Sequence, residues 1–109
     1  MTEKEQLAEL LDFAKSAGVG IVHIHNIKGG LTVAFAPVNE FKSTRMVDVA
    51  VQVCSIDDTF SKRKGAIGAL KKFHDGEFIT LPLLNIYTSE DLPYVVKQAF
   101  SKLYDVISY

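Results

Sequence analysis

The segment MVDVAVQVC, residues 46–54, most constrains the fold, because valine occupies every second position in it. The valines are Val47, Val49, Val51 and Val53, and they alternate with Met46, Asp48, Ala50 and Gln52. A period of two puts successive side chains on opposite faces of a β-strand. We therefore predict a strand here, with the valine face buried and the opposite face partly wet.

Two further strands are predicted before this segment and one after it. VGIVHIHNI and LTVAFAPV flank the tripeptide KGG, which predicts a β-hairpin with its turn at Lys28–Gly30. In the second of these strands Leu31, Val33 and Phe35 share one face. EFITLPLLNI is predicted to return as the fourth strand, and Pro82 within it favours a sheet edge or a β-bulge.

Helices are predicted at the start of the chain and after the valine-rich strand. The first spans about Glu3–Ser16, with Thr2 and Glu5 as a capping box and Gly18 as the stop. The second follows the valine-rich strand and a loop, and it ends near Gly76. Both lengths are typical of helices in small globular domains.

The last helix is predicted to begin around Ser89, with Glu90 and Asp91 at the positive end of its dipole. Its apolar side consists of Leu92, Val96, Ala99, Leu103 and Val106. The element order is then α-β-β-β-α-β-α in a single domain, residues 1–109. Because hairpins join neighbouring strands and the alternation is one-sided, we predict an α+β fold. A small antiparallel sheet of about four strands carries the helices on one face.

This last helix also bears on assembly. Its portion Val95–Phe100 is almost continuously apolar, so the helix carries more apolar surface than one face can hide. We therefore expect a homodimer or a higher homo-oligomer.

Charge and composition narrow the classes of partner. The 109-residue chain has a net charge of −1, which argues against bulk attraction to nucleic acid or to an anionic membrane. The single cysteine, Cys54, excludes an intrachain disulfide and a CxxC metal knuckle. No apolar run approaches the roughly 20 residues of a membrane span. The charged N-terminus lacks the apolar centre of a secretory signal, so we expect a cytoplasmic protein.

The stretch CSIDDTFSKRKGAIGALKKF, residues 54–73, concentrates positive charge in a chain that is slightly acidic as a whole. Its cations are Lys62, Arg63, Lys64, Lys71 and Lys72, five of the twelve in the chain. Gly65 and Gly68 lie among them in the predicted second helix, which Asp58 or Ser61 would cap. Each glycine should cost a helix interior about 1 kcal/mol relative to alanine.

Three interpretations of this stretch stay open. At about 100° per residue, Phe60, Ile67 and Leu70 point toward a core, which leaves the glycines and most of the lysines on the other side. The cations and the first helical amides could hold a phosphate group. A neighbouring protein helix could instead approach closely over the glycines. The third interpretation is a solvated basic face without a ligand.

One run of residues forms a strand–loop–helix signature. It consists of Cys54, Ser55, Asp57, Phe60, Ser61, Lys62, Arg63, Lys64 and Gly65. This signature resembles that of small phage proteins in the first Thoeris anti-defence family. The resemblance implies a small α+β protein that is not an enzyme and binds a cyclic ADP-ribose isomer made by bacterial TIR-domain enzymes, silencing the defence signal in the host bacterial cytoplasm. It also implies assembly from dimers with signal pockets at the subunit contacts.

The ligand-binding residues expected on this hypothesis are Ser55, Asp57, Phe60, Lys62, Arg63, Lys64, Lys72 and Arg45. Phe60 would stack on an adenine, the cations would neutralise a pyrophosphate, and Arg45 would help from the neighbouring edge. No catalytic residue, cofactor or metal is expected. The alternative function is that of a small inhibitor or adaptor that binds a host protein through its helices, with Gly65 and Gly68 marking the contact.

Two other constellations are weaker. His23 and His25 alternate on a strand and could share a metal with His74. No carboxylate or cysteine lies near them at a sequence spacing that is typical of a metal site. Cys54 with His74 could form a thiol nucleophile, but no acid can be assigned to orient the histidine. We therefore expect ordinary exposed or interface histidines and a cysteine that acts as a small buried hydrophobe. Single-strand nucleic-acid binding is not expected from so short a basic run.

Overall fold

Seven elements follow one another in the predicted order. The computed structural model describes residues 2–25, 29–38, 43–54, 61–88 and 90–107, except for the side chains at 25, 43–45, 84–86 and 103–107. The elements are α1 (Glu3–Ala17), β1 (Gly20–His25), β2 (Gly30–Pro37), β3 (Ser43–Cys54), α2 (Lys62–His74), β4 (Ile79–Thr88) and α3 (Leu92–Ile107). Across these residues, the predicted α+β class with a four-stranded antiparallel sheet is confirmed.

The first helix begins and ends as its capping residues predict. The Glu5 amide donates to Thr2 Oγ1 at 3.2 Å, and the Thr2 hydroxyl donates to Glu5 Oε1 at 3.2 Å. Gly18 takes the left-handed conformation with φ 71°, and the Val19 amide donates to the Ala14 carbonyl at 2.9 Å. A glycine adopts this conformation without a Cβ clash, so α1 stops there.

The strands pair in chain order, each antiparallel to the next. The predicted hairpin of β1 and β2 is confirmed, with His25 opposite Gly30. Gly29 in the turn has φ 71°, whereas Gly30 already begins β2. Lys28, which we also placed in the turn, lies outside the described residues.

Pro82 sits where a proline costs the sheet least. β4 is an edge strand, and Pro82 lies opposite Met46 beside a register shift between Thr44 and Met46, so both predicted features are confirmed. The Val38 amide donates to the Met46 carbonyl at 3.2 Å, so the backbone groups of Met46 point toward β2. The nitrogen of Pro82 therefore points away from β3, and the ladder loses no hydrogen bond.

Helices cover both faces of the sheet, so the prediction of helices on one face is wrong. On the valine face, α3 packs through Leu92 and Val96 on Val22, Ile24, Leu31, Val33, Phe35, Val47 and Val49. On the opposite face, which we call the alanine face, α2 packs through Ala69, Leu70 and Phe73 on Ala34, Ala36 and Ala50, and α1, with Ala14 in the same cluster, packs mainly against α2. Alanine is small enough to let a helix approach the strands closely, and this burial leaves no mark in a pattern of large apolar residues.

The valine face is buried only in part. Val47 and Val49 are 2% and 1% exposed, as predicted, but Val53 at the end of β3 is 58% exposed. Ile79 at the start of β4 lies on the same face, since it pairs with Val49, and it is 61% exposed. The open part of this face therefore lies over β3 and β4.

The two glycines of α2 face the chain's own sheet. A Cβ at Gly65 would lie inside contact distance of Thr32 Oγ1 and 3.0 Å from Thr32 Cβ. A Cβ at Gly68 would lie 2.6 Å from the Cγ of Gln52. The expectation that this side of the helix is open to a ligand or a neighbouring protein is therefore wrong. The glycines lower the helix propensity of α2, and the close packing of α2 on β2 and β3 that they permit offsets this cost.

Candidate functional site

The basic stretch begins with a capped helix end. Ser61 is extended, with φ −123° and ψ 117°, and its Oγ accepts from the Lys64 amide at 3.3 Å. The Gly65 amide donates to the Ser61 carbonyl at 2.9 Å and starts the helical series. Ser61 is thus the predicted cap. The amides of Lys62 and Arg63 donate to no described group, and they point out of the helix end.

Three cations occupy the first turn of α2. Lys62, Arg63 and Lys64 are all exposed, and the turn contains no acidic residue. Among the described residues, no carboxylate forms an ion pair with any of them. Cations are disfavoured at the positive end of a helix dipole, usually by 0.3–1 kcal/mol each at exposed positions. The positive potential of the helix end and that of the side chains therefore add instead of cancelling.

The trio is spread around the helix. Consecutive residues are about 100° apart, so the three side chains cover roughly 200° of the helix end. Lys62 and Lys64 can therefore contact a bound anion from two sides, with the guanidinium of Arg63 between them. An arginine can bind two oxygens of one phosphate in parallel, whereas each lysine supplies a point charge.

Lys72 does not join this trio. Its Nζ donates to the Val51 carbonyl at 3.0 Å, and the side chain is half-buried. Since the Met46 carbonyl points to β2, the carbonyl of Val51 points the other way, toward β4. β4 begins only at Ile79, opposite Val49, so this carbonyl has no strand beside it. Lys72 occupies that gap, and it starts about 15 Å along the helix axis from Lys62.

Arg45 is also distant from the start of α2 within one copy. It lies in β3 nine residues before Cys54, which corresponds to about 30 Å of strand. Its side chain is outside the described residues, as are Ser55, Asp57 and Phe60 entirely. The structure thus brings together Lys62, Arg63 and Lys64, and it leaves the other expected ligand contacts as predictions.

A polar row under α2 was missed by the sequence reasoning. Thr32 is fully buried, and its Oγ1 lies 2.9 Å from Nδ1 of the half-buried His23. In the sheet register His23, Thr32 and Gln52 are direct neighbours across three strands. The signal was available, because the hairpin and the alternation together place these residues in one line beneath the helix.

The histidines and the cysteine form no metal centre in the described part of the chain, where no three His, Cys, Asp or Glu residues cluster. The ring of His74 packs edge-on against Phe13 with centroids 4.9 Å apart, and its Nδ1 lies 3.3 Å from Asp75 Oδ1. Cys54 is half-buried at the end of β3. His74 thus has local structural contacts that account for its placement, and Cys54 is less buried than we expected.

Comparisons with known proteins add no relative. No protein-family model, no curated protein and no solved structure matches this chain. No helix within the described ranges is long and apolar enough to cross a membrane.

Proposed function

We propose that this protein binds a phosphate-bearing small molecule at the start of α2 and does not transform it. The observation that carries the proposal is that the first-turn cations have no acidic partner in the part of the chain that the structure describes. Lys62, Arg63 and Lys64 are exposed there, and no described carboxylate balances them. A bound phosphate would supply the missing negative charge at the site where the helix dipole favours it most.

The chemistry of this helix end suits a pyrophosphate. The amides of Lys62 and Arg63 have no acceptor among the described residues and can donate to phosphate oxygens, as at other helix N-termini that bind phosphate. Arg63 can add a bidentate contact, and charge-assisted hydrogen bonds of this kind are worth about 1.5–3 kcal/mol each. Lys62 and Lys64 neutralise the remaining charge from either side.

The ligand we propose is a cyclic ADP-ribose isomer, the signal of bacterial Thoeris immunity. The support for this choice is the resemblance of the segment from Cys54 to Gly65 to the first Thoeris anti-defence family, together with the first-turn cations. Such a protein acts in the host cytoplasm as a sponge that holds the signal in place. Sequestration requires affinity alone, so no catalytic group is needed.

The alternative function is an inhibitor or adaptor that binds a host protein through its helices. The glycines no longer support it, because they are not open to a partner. Gly65 and Gly68 pack against Thr32 and Gln52 of the same chain. An acidic host surface would have to bind the first-turn cations instead. A small anion fits better, because a helix end concentrates its amides on an area the size of one phosphate.

The test is a ligand panel read by thermal stabilisation. The panel contains cyclic ADP-ribose isomers, linear ADP-ribose, NAD and cyclic dinucleotides. A ligand present at about 100 times its Kd should stabilise the protein by about 2.7 kcal/mol. The same ligand, released by heat denaturation after prolonged incubation, should be chemically intact. The proposal fails if no phosphate ligand raises the melting temperature, or if the ring is recovered opened or hydrolysed.

A further inference from the structure

α3 carries a second row of side chains besides the one that packs on its own sheet. Leu92 and Val96 are 1% and 2% exposed and belong to the core of the valine face. A different side of the helix bears Tyr94, Val95, Gln98, Ala99 and Lys102. Together with Asp91, which directly precedes the helix, these residues are named the α3 stripe. The stripe and residues 82, 83 and 87 of β4 line a cavity of about 420 Å³.

This cavity exists because α3 covers only half of the sheet. The helix packs mainly on β1 and β2, so the valine face of β3 and β4 stays partly open beside it, at Val53 and Ile79. A second cavity of about 330 Å³ meets the first at Ala99 and is lined by Val51, Ile79, Leu81 and Phe100. Tyr94, on the rim, is 70% exposed. A single copy therefore leaves a continuous apolar groove in contact with water.

Two copies of the α3 stripe that run in opposite directions would match each other residue by residue. Asp91, directly before the helix, and Lys102 stand at the two ends, about 16.5 Å apart along the axis, and both line the cavity. A two-fold axis through the middle would place each acid against the base of the other copy. It would also place the large ring of Tyr94 against the small Ala99, and Val95 against Gln98.

The acidic end is held in position within each copy. The Thr88 hydroxyl donates to Asp91 Oδ2 at 3.0 Å, and the Val95 amide donates to the Asp91 carbonyl at 3.0 Å. Lys102, at the other end, is exposed and forms no ion pair with a described residue. One charge is therefore pre-oriented, and its counterpart is available.

We propose that the α3 stripe docks a second copy of this chain, with the two α3 helices antiparallel across a two-fold axis. Tyr94 of each copy covers Ala99 of the other and closes the apolar groove, while two Asp91–Lys102 ion pairs fix the direction at the rim. Size and charge match along the whole stripe, as an isologous interface requires. The proposal rests on α3 and β4 alone and is independent of phosphate binding at α2.

Sedimentation equilibrium of the full chain tests this arrangement, over about 1–100 µM so that a Kd in that range is measured. The wild type should approach twice the chain mass of 12.1 kDa. Ala99→Arg should raise the dimer Kd by about a hundredfold or more, since a large charged side chain would occupy the space where Tyr94 of the other copy packs. Lys102→Glu should raise it by about tenfold through like-charge contacts with Asp91. Lys97→Glu, the same charge change at an exposed position outside the stripe, should leave it unchanged.

A charge exchange separates this antiparallel register from any other dimer. The double variant Asp91→Lys with Lys102→Glu should dimerise more tightly than Lys102→Glu alone, because each new acid again meets a base. A wild type that stays monomeric throughout, or an Ala99→Arg variant that dimerises as the wild type does, overturns the proposal. Should Asp91→Lys disturb the helix cap, Ala99→Arg and Lys97→Glu give the answer, since both change exposed residues and should leave the far-UV circular dichroism spectrum unaltered.

Discussion

The two faces of the sheet bury their side chains in different ways. On the alanine face, small residues let α2 approach so closely that Gly65 and Gly68 leave no room for a Cβ over Thr32 and Gln52. On the valine face, large residues fill the space under α3, but the helix lies mainly over β1 and β2. The chain closes the first face by itself and leaves the second partly open.

This difference determines which kind of partner each exposed surface can bind. Because the inner side of α2 is filled by the sheet, its first-turn cations can act only outward, toward a solvent-borne anion. The open groove on the valine face is apolar and long, so it suits a protein surface. A small charged ligand and a second copy of the chain would thus use separate parts of the molecule, unlike the pockets at subunit contacts that the family resemblance implies.

The largest loss of stability is expected in the closed alanine face. Leu70 is 0% exposed, so Leu70→Ala should lower the free energy of unfolding by about 2–5 kcal/mol. Leu11→Ala is the matched control, because Leu11 on α1 is 46% exposed and the same atoms are removed. That control should cost about 1 kcal/mol or less. Urea unfolding followed by circular dichroism measures both, and equal losses would contradict a tightly packed alanine face.

A smaller loss is expected at the closest helix–sheet contact. Gly65→Ala should lower the free energy of unfolding by about 1–3 kcal/mol, even though alanine favours a helix by about 1 kcal/mol. The reason is the contact of the new methyl group with Thr32. Adding Thr32→Ala should cost less in the Gly65→Ala background than in the wild type, by about 0.5–3 kcal/mol. An increase in stability for Gly65→Ala alone would mean that α2 lies farther from the sheet.

The smallest of the stability effects is expected at the gap in the sheet beyond the start of β4. Lys72→Met keeps the apolar part of the side chain but removes the ammonium that binds the Val51 carbonyl. The free energy of unfolding should fall by about 1 kcal/mol. Lys71→Met, at an exposed position one residue away, should change it by less than about 0.5 kcal/mol. Indistinguishable unfolding curves for the two variants would show that the carbonyl needs no protein partner.

Much of the fold could be predicted because its signals are local. The valines of β3, the glycine turn before β2 and the Thr2 cap each depend on neighbours within a few residues. The second covered face could not be predicted in the same way. Ala34 and Ala50 carry no strong apolar signal, and their burial depends on α2 returning across the sheet from a later part of the chain.

The candidate site was predictable in its charge and only partly in its geometry. The trio at residues 62–64 could be recognised because the cations are consecutive and follow a capping serine. The role of Lys72 depends on where β4 begins relative to β3, and that register is set by contacts distant in sequence. The orientation of Gly65 and Gly68 similarly required the shape of the opposing strands.

Titration of Arg63→Ala with the stabilising phosphate ligand tests the central claim most directly, namely that the first turn of α2 is the binding site. Arg63 is exposed, so the variant should keep the wild-type unfolding free energy to within about 0.5 kcal/mol. Its affinity should fall by about ten- to a hundredfold, the equivalent of a lost charge-assisted contact of about 1.5–3 kcal/mol. Lys71→Ala, an exposed cation at the opposite end of the same helix, should bind as the wild type does. Wild-type affinity in Arg63→Ala, with the melting temperature also unchanged, would contradict the account.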